Sequence, residues 1–190
     1  NRGRVVLSIG GVAVEPQPAV FLQAVPAAEA AMISLVTAAV GKAKRVADLF
    51  CGLGTFALPL ARKAPVLAID SDARAIGSLD LAVRNTQGLK PIETRVRDLV
   101  REPLSRKELE GFDAVVFDPP RAGALAQAEA LARSQVKTVI AVSCNPQTLA
   151  RDLAVLVEGG YEIEDVTPID QFLYSNHLEA VAVLRRPRRR

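Results

Sequence analysis

The sequence predicts a doubly wound α/β domain: a mostly parallel seven-stranded sheet with helices on both faces, a final antiparallel strand and a small N-terminal hairpin. Three observations carry this. From Arg45 onward, short apolar runs alternate with amphipathic stretches, the pattern of strand–helix units that build a parallel sheet. The last two apolar runs, YEIEDVTPI and EAVAVLRR, have only the loop DQFLYSNH between them, so the final strand returns antiparallel to the rest. A length of 190 residues is one domain's worth of chain, enough to bury a core of its own.

The elements follow in order. Residues 5–14, VVLSIGGVAV, alternate apolar with small or polar positions around Gly10-Gly11, a dipeptide that accepts the positive φ of a tight hairpin turn. Beyond Pro16 and Pro18, Ala27 to Val40 carry apolar residues at helical spacing, with Gly41 at the C-cap position. The first sheet strand is VADLF, followed by a helix from about Thr55 and the strand PVLAID. A helix from Asp72 to Asn85 leads to PIETRV. A short helix near Ser105 to Leu109 precedes AVVFD, and a helix from Ala124 to Arg133 precedes TVIAVS. The last helix runs from Gln147 to Val157.

Composition narrows the class. With 49% hydrophobic and 24% charged residues the chain is neither disordered nor fibrous. No apolar run reaches the roughly 18 residues that span a bilayer, so a soluble, cytoplasmic protein is expected, with no membrane partner. Two cysteines without a Cys-x-x-Cys pair, and the single His177, exclude a disulfide scaffold and predict no metal site. The net charge is +3, yet five arginines, Arg185, Arg186, Arg188, Arg189 and Arg190, fall within the last six residues; without them it becomes −2. Basicity is therefore a tail, either a handle for a polyanion or a solvated end.

DLFCGLGTF, Asp48 to Phe56, sets Gly52 and Gly54 between a strand and a helix, where glycine lets a ligand approach the backbone. Asp70 ends the next strand, placed to accept hydrogen bonds from two ribose hydroxyls. Gly52-x-Gly54-x-x-Ala57 also fits a dinucleotide fingerprint. The acidic setting, with Asp48 just before the loop and Asp118 opening DPP, suits the sulfonium and amino group of S-adenosylmethionine better than a pyrophosphate. Asp98, after the third strand, is a candidate for the adenine amino group.

Cys144 follows TVIAVS and precedes Asn145-Pro146 at a helix start, where the positive end of the helix favours thiolate. Cys51 reads instead as a packed or cofactor-lining thiol. Glu179 opens the antiparallel strand, and its start shares an edge with Asp70, Asp118 and Cys144. A thiolate, a carboxylate and a methyl donor fit methylation of a pyrimidine at C5. Sulfur adds at C6, C5 gains nucleophilic character and takes the methyl group, and a base removes the C5 proton. Glu179 is the candidate base. His177 either orients Glu179 or a phosphate, or is a structural histidine.

The segments FLQ at 21–23, DLFCGLGTF at 48–56, DPPRAG at 118–123, SCNPQTLARDL at 143–153 and HLE at 177–179 resemble, in order, the RNA uracil-C5 methyltransferases that act on tRNA and 23S rRNA. The resemblance runs from Phe21 to Leu184. It implies a Rossmann-like class I S-adenosylmethionine-dependent methyltransferase fold, with Gln23, Phe50, Gly52, Gly54, Thr55, Asp70, Asp98 and Asp118 binding the cofactor. It also implies Cys144 as nucleophile, Glu179 as base, and 23S rRNA or tRNA as partner, without an obligate protein partner. Departures are Val25 in place of an Asn, and Thr55 and Phe50 where some members have Asn and Tyr.

Residues 1–26 then read as a hairpin and linker, 27–186 as the catalytic domain and 187–190 as a basic tail. The absence of an OB-like RNA-binding region or iron–sulfur cysteines leads us to expect a C-terminal catalytic portion of a longer protein. Two alternatives stand beside this reading: a cytosine-C5 or amino-group methyltransferase, and a non-catalytic RNA-binding module that retains the cofactor fold.

Overall fold

The computed structural model describes residues 5–23, 25–170 and 178–187. A two-stranded hairpin, β1 (Leu7–Ile9) and β2 (Val12–Val14), turns through Gly10 and Gly11 at φ 54° and 77°. Ile9, Val12 and Val14 sink into the same apolar cluster as the first three helices, and Arg62 holds the turn by donating to the Gly10 carbonyl. Helix α1 (Pro26–Val40) starts on a proline at N1, whose missing N–H costs nothing there, and ends at Gly41 with φ 59°.

The main sheet then begins with β3 (Val46–Leu49), α2 (Ala57–Leu60), β4 (Val66–Asp70), α3 (Ala73–Arg84) and β5 (Ile92–Val96). It continues through β6 (Ala114–Phe117), α4 (Leu125–Ala132), β7 (Thr138–Ser143), α5 (Pro146–Glu158), β8 (Glu162–Ile169) and β9 (Glu179–Arg185). The strand order is β5-β4-β3-β6-β7-β9-β8. Every pairing from β5 to β7 is parallel, and β9 pairs antiparallel with both β7 and β8. The predicted fold class, including the returned last strand, is the observed one.

Two apolar clusters sandwich the sheet. One holds the hairpin, α1, α2 and α3 against Val46, Ala68, Val116, Ile140 and Val181; the other holds α4 and α5 against Ala47, Ile69, Val115, Ala141 and Ala182. This alternation is the two-residue period of a strand buried on both faces. It explains why the central strands read as unbroken apolar runs.

Two local expectations need correction. No helix forms near Ser105 to Leu109; the segment is a series of turns. Ser105 receives a hydrogen bond from the Glu108 amide at 3.3 Å and donates its hydroxyl to Glu108 at 2.8 Å, a capping arrangement. Gly111 at φ 89° then lets the chain turn away within one turn. The helix expected from about Thr55 is shorter than a typical amphipathic helix, four residues that include Pro59.

Candidate active site

The order of strand addition reverses at β3, although β3 runs parallel to both of its neighbours. After β3 the chain winds outward through β4 to β5, then returns to lay β6 on the other side of β3. That switch point opens a crevice outside the carboxyl ends of β3 and β6, the usual ligand position in such a sheet.

Period-2 alternation decides which side chains face it. Val46, Ala68 and Val116 belong to the α1–α3 side, so Asp48, Asp70 and Asp118, each two residues further on, turn to that side. Glu179 falls on the same side, two before Val181. The register pairs Ser143 with Ala180, so Cys144 and Glu179 are the next residues outward on neighbouring strands. Glu179 is buried, whereas Cys144 is half-buried.

The glycine loop is held against β4. Both oxygens of Asp70 accept backbone amides at 2.8 Å, one from Gly52 and one from Asp72. The carboxylate is thus fixed in orientation, and each oxygen keeps a lone pair for a further donor. Gly54 lies at φ 89°, and a Cβ there would sit 2.6 Å from Leu79 Cδ1, so only glycine lets the loop close on α3. Phe50 adopts φ 61° without being glycine, a strained conformation that persists where the surroundings impose it. Thr55 is half-buried at the end of the loop. Cys51 is buried in the core, and burial above all pushes its thiol well above the usual range, with Asp48 and Asp70 adding to it.

Asp48 is the anomaly. It is 0% exposed, and among the described residues both its oxygens lack a hydrogen-bond partner. Burial above all raises its carboxyl well above the usual carboxylate range. The Ala57 amide faces it without closing a hydrogen bond and pulls it partway back, while Asp118 and Asp70 push it up. Asp118 is raised to about 7, by burial first, then by the charge on Glu179 and on Asp70. Asp118 thus feels both Asp70 and Glu179, and Asp48 feels Asp118 and Asp70, so negative charge gathers at this edge of the sheet and favours a cationic ligand. Among the described residues, no group of three His, Cys, Asp or Glu is arranged to hold a metal ion.

This has a measurable consequence. The folded chain keeps the Asp118 proton up to about pH 7, whereas the unfolded chain releases it near pH 4. In that window the folded state binds more protons, so stability falls as pH rises from about 4 to 7. Asp48 acts in the same direction. Asp118→Asn is expected to flatten part of that fall when thermal midpoints of the ligand-free protein are followed across the window. An unchanged slope would show that Asp118 ionises normally.

The remaining predicted residues are placed less centrally. Asp98 is exposed beyond β5, and its Oδ1 accepts the amides of Val100 and Arg101 at 3.0 and 3.2 Å, closing its own turn. Gln23 is half-buried ahead of α1, whose far end reaches the strand-start edge, where Arg185 donates to the Ala39 carbonyl at 2.9 Å. The start of α1 therefore points back toward the crevice edge. His177 lies outside the described residues.

Sequence reasoning missed the support beneath Cys144. Asn145 caps α5 by accepting the Gln147 amide at 3.0 Å, and its Nδ2 donates to the Arg121 carbonyl at 3.1 Å. Thr148 donates to the same carbonyl at 3.1 Å. The turn that carries Cys144 is thereby tied to the loop that follows Asp118. An Asn before a Pro at a helix start signals the cap; nothing local signals the reach to Arg121.

Residues 12–187 match the family described as tRNA (Uracil-5-)-methyltransferase. An uncharacterized RNA methyltransferase of Agrobacterium fabrum is 59% identical over 179 residues, which cover 94% of this chain and 43% of that protein. The 23S rRNA (uracil(1939)-C(5))-methyltransferase of Alteromonas mediterranea is 36% identical over 187 residues, 96% of this chain and 38% of that one. Among solved structures, the tRNA (uracil-54, C5)-methyltransferase of Pyrococcus abyssi in complex with S-adenosyl-L-homocysteine matches with a TM-score of 0.83 at 31% identity. That match covers 95% of this chain and 44% of the other. The chain spans less than half the length of the curated relatives it matches.

Proposed function

The chain belongs to the tRNA (uracil-5-)-methyltransferase family, and from that premise we propose that it methylates C5 of a uridine in RNA through a transient bond between Cys144 and C6. One observation carries the reading: the register that pairs Ser143 with Ala180 brings Cys144 and Glu179 to the crevice edge where Asp118 also stands.

The residues present fit S-adenosylmethionine. The orphaned, buried carboxyl of Asp48 and the raised Asp118 both gain from a nearby cationic ligand. Asp70, pre-oriented by two amides, is positioned to accept ribose hydroxyls, and Gly52, Gly54, Phe50 and Thr55 form the loop that would lie against the ligand. Gln23 and Asp98 complete the assigned set, Asp98 by swinging out of its own turn toward the adenine amino group. Bound there, S-adenosylmethionine supplies C5 with an electrophilic methyl group.

The chain's own residues do the rest. The Cys144 sulfur, as thiolate, adds to C6 and drives electron density to C5. Once C5 is alkylated, Glu179 takes the C5 proton, the C5–C6 double bond re-forms, and sulfur leaves as thiolate. The uridine must leave its stack to reach a half-buried sulfur at the crevice edge. The proposed substrate is RNA of the 23S rRNA or tRNA type, and a cytoplasmic location belongs to the same proposal. In this reading residues 27–186 are the catalytic domain, residues 1–26 support it, and the arginines at 188–190 add a sequence-independent attraction to phosphate, whereas Arg185 and Arg186, expected as part of the tail, are bound to Glu164, Ala39, Gly159 and Ala132 within the fold.

The test is a trap. RNA carrying 5-fluorouridine at the target site offers no C5 proton, so the full-length protein with S-adenosylmethionine is expected to accumulate an SDS-resistant protein–RNA adduct through residue 144. Methyl transfer to an exocyclic amine, or RNA binding without chemistry, leaves no such adduct.

A further inference from the structure

We infer that Arg151 and Asp152 are positioning residues that lock the loop after Asp118 to the helix that follows Cys144, so that the cofactor-binding carboxylate and the nucleophile are held as one rigid unit. The inference rests on the reading of Cys144 given above. Its basis is where α5 spends its polar side chains.

Asp152 lies on α5 and is 1% exposed. Its Oδ2 accepts the Ala124 amide at 2.6 Å, and its Oδ1 accepts Arg151 Nε at 2.9 Å and Nη2 at 2.7 Å. The same Arg151 Nη2 donates to the Ala122 carbonyl at 3.0 Å. With Asn145 and Thr148 on the Arg121 carbonyl, four side chains of one helix and its cap grip the backbone at Arg121, Ala122 and Ala124. Gly123, in the middle, closes on Pro120 and must be glycine for the grip to fit: a Cβ there would stand 2.5 Å from Arg151 Nη2 and 2.7 Å from Asp152 Oδ2.

A loop that merely joined β6 to α4 could leave these carbonyls to water. Burying a carboxylate to hold an amide is costly unless the charge is paired, and the Arg151 fork pairs it. Asp118 begins this loop, and Cys144 precedes the helix that grips it. Any slack between the two appears directly as misplacement of the acid relative to the sulfur, and misplacement of about 1 Å is enough to cost roughly 100-fold in rate.

Arg151 is the residue to change, because its side chain is 41% exposed and Met keeps its apolar stem, so the change withdraws the charged partner of Asp152 without opening a cavity. In the full-length protein with S-adenosylmethionine and substrate RNA, Arg151→Met is expected to lower kcat by about 10- to 100-fold. KM for both substrates should stay within about twofold, while the melting midpoint falls because Asp152 loses its partner; kcat is therefore read well below the midpoint of the variant. Arg151→Lys, which restores one charged donor, should recover part of kcat. An unchanged kcat in Arg151→Met overturns the inference. So does a loss of kcat that tracks a collapse in melting midpoint and that Lys does not relieve. The two readings fail separately: if the unmodified protein forms no adduct with 5-fluorouridine RNA, the covalent mechanism falls, whereas an adduct formed equally fast by Arg151→Met removes only the clamp.

Discussion

Cys144→Ala is expected to abolish methyl transfer, by about 10⁴-fold or more, while leaving S-adenosylmethionine binding within about twofold. The size follows from the chemistry. An unactivated pyrimidine C5 does not displace an alkyl group at a useful rate, so removing the sulfur removes the route and not one contribution among several. The structure makes the experiment clean. Cys144 is half-buried at the mouth of α5 and belongs to neither apolar cluster, so its truncation opens no cavity in the core. Cys51 is the contrast, packed among core residues at 4% exposure with its proton held by burial. Transfer of a radiolabelled methyl group to RNA, with calorimetric titration of the cofactor, decides the matter. Residual transfer within about tenfold of the unmodified protein would remove the thiolate from the mechanism.

Glu179→Gln is expected to stop the cycle one step later and therefore to look different. Addition at C6 and alkylation at C5 proceed, but the proton on C5 has no acceptor, so protein and RNA stay joined even with ordinary uridine. Turnover should fall by about 10²- to 10⁴-fold while a methylated covalent species builds up on denaturing gels. Gln keeps the volume of a side chain that is 7% exposed, so packing beside Asp118 is preserved. Free methylated RNA released at the unmodified rate would assign proton removal to another group.

Strand–helix alternation follows from burial on both sheet faces, which forces apolar runs such as VADLF and TVIAVS and sets turn residues between them. The returned strand was legible because the stretch before it has no helical period. Gly10-Gly11 and Gly41 are legible because each answers a local backbone demand, whereas Asp72, expected as the first helical residue, caps α3 by accepting the Arg74 amide.

Contacts between segments distant in sequence were not legible. Nothing near Asp152 announces that its carboxylate serves Ala124, 28 residues earlier. Asp48 was read as part of an acidic loop, and only the folded structure shows its isolation. The segment around Ser105 carries a local capping pair without a helix behind it, a series of turns that ends at Gly111. Asp98 was assigned by position on the sheet edge, and its engagement with its own turn depends on the local path of the chain after β5.

The strand that carries Glu179 has one further implication. β9 is the last element described, and it slots between β7 and β8, which do not otherwise touch in the sheet. Until it emerges from the ribosome, β8 has no neighbour to pair with and the sheet has a gap where the proton acceptor belongs. A nascent polypeptide can therefore bury most of these helices before the crevice has its Glu179, which arrives only when β9 threads between β7 and β8.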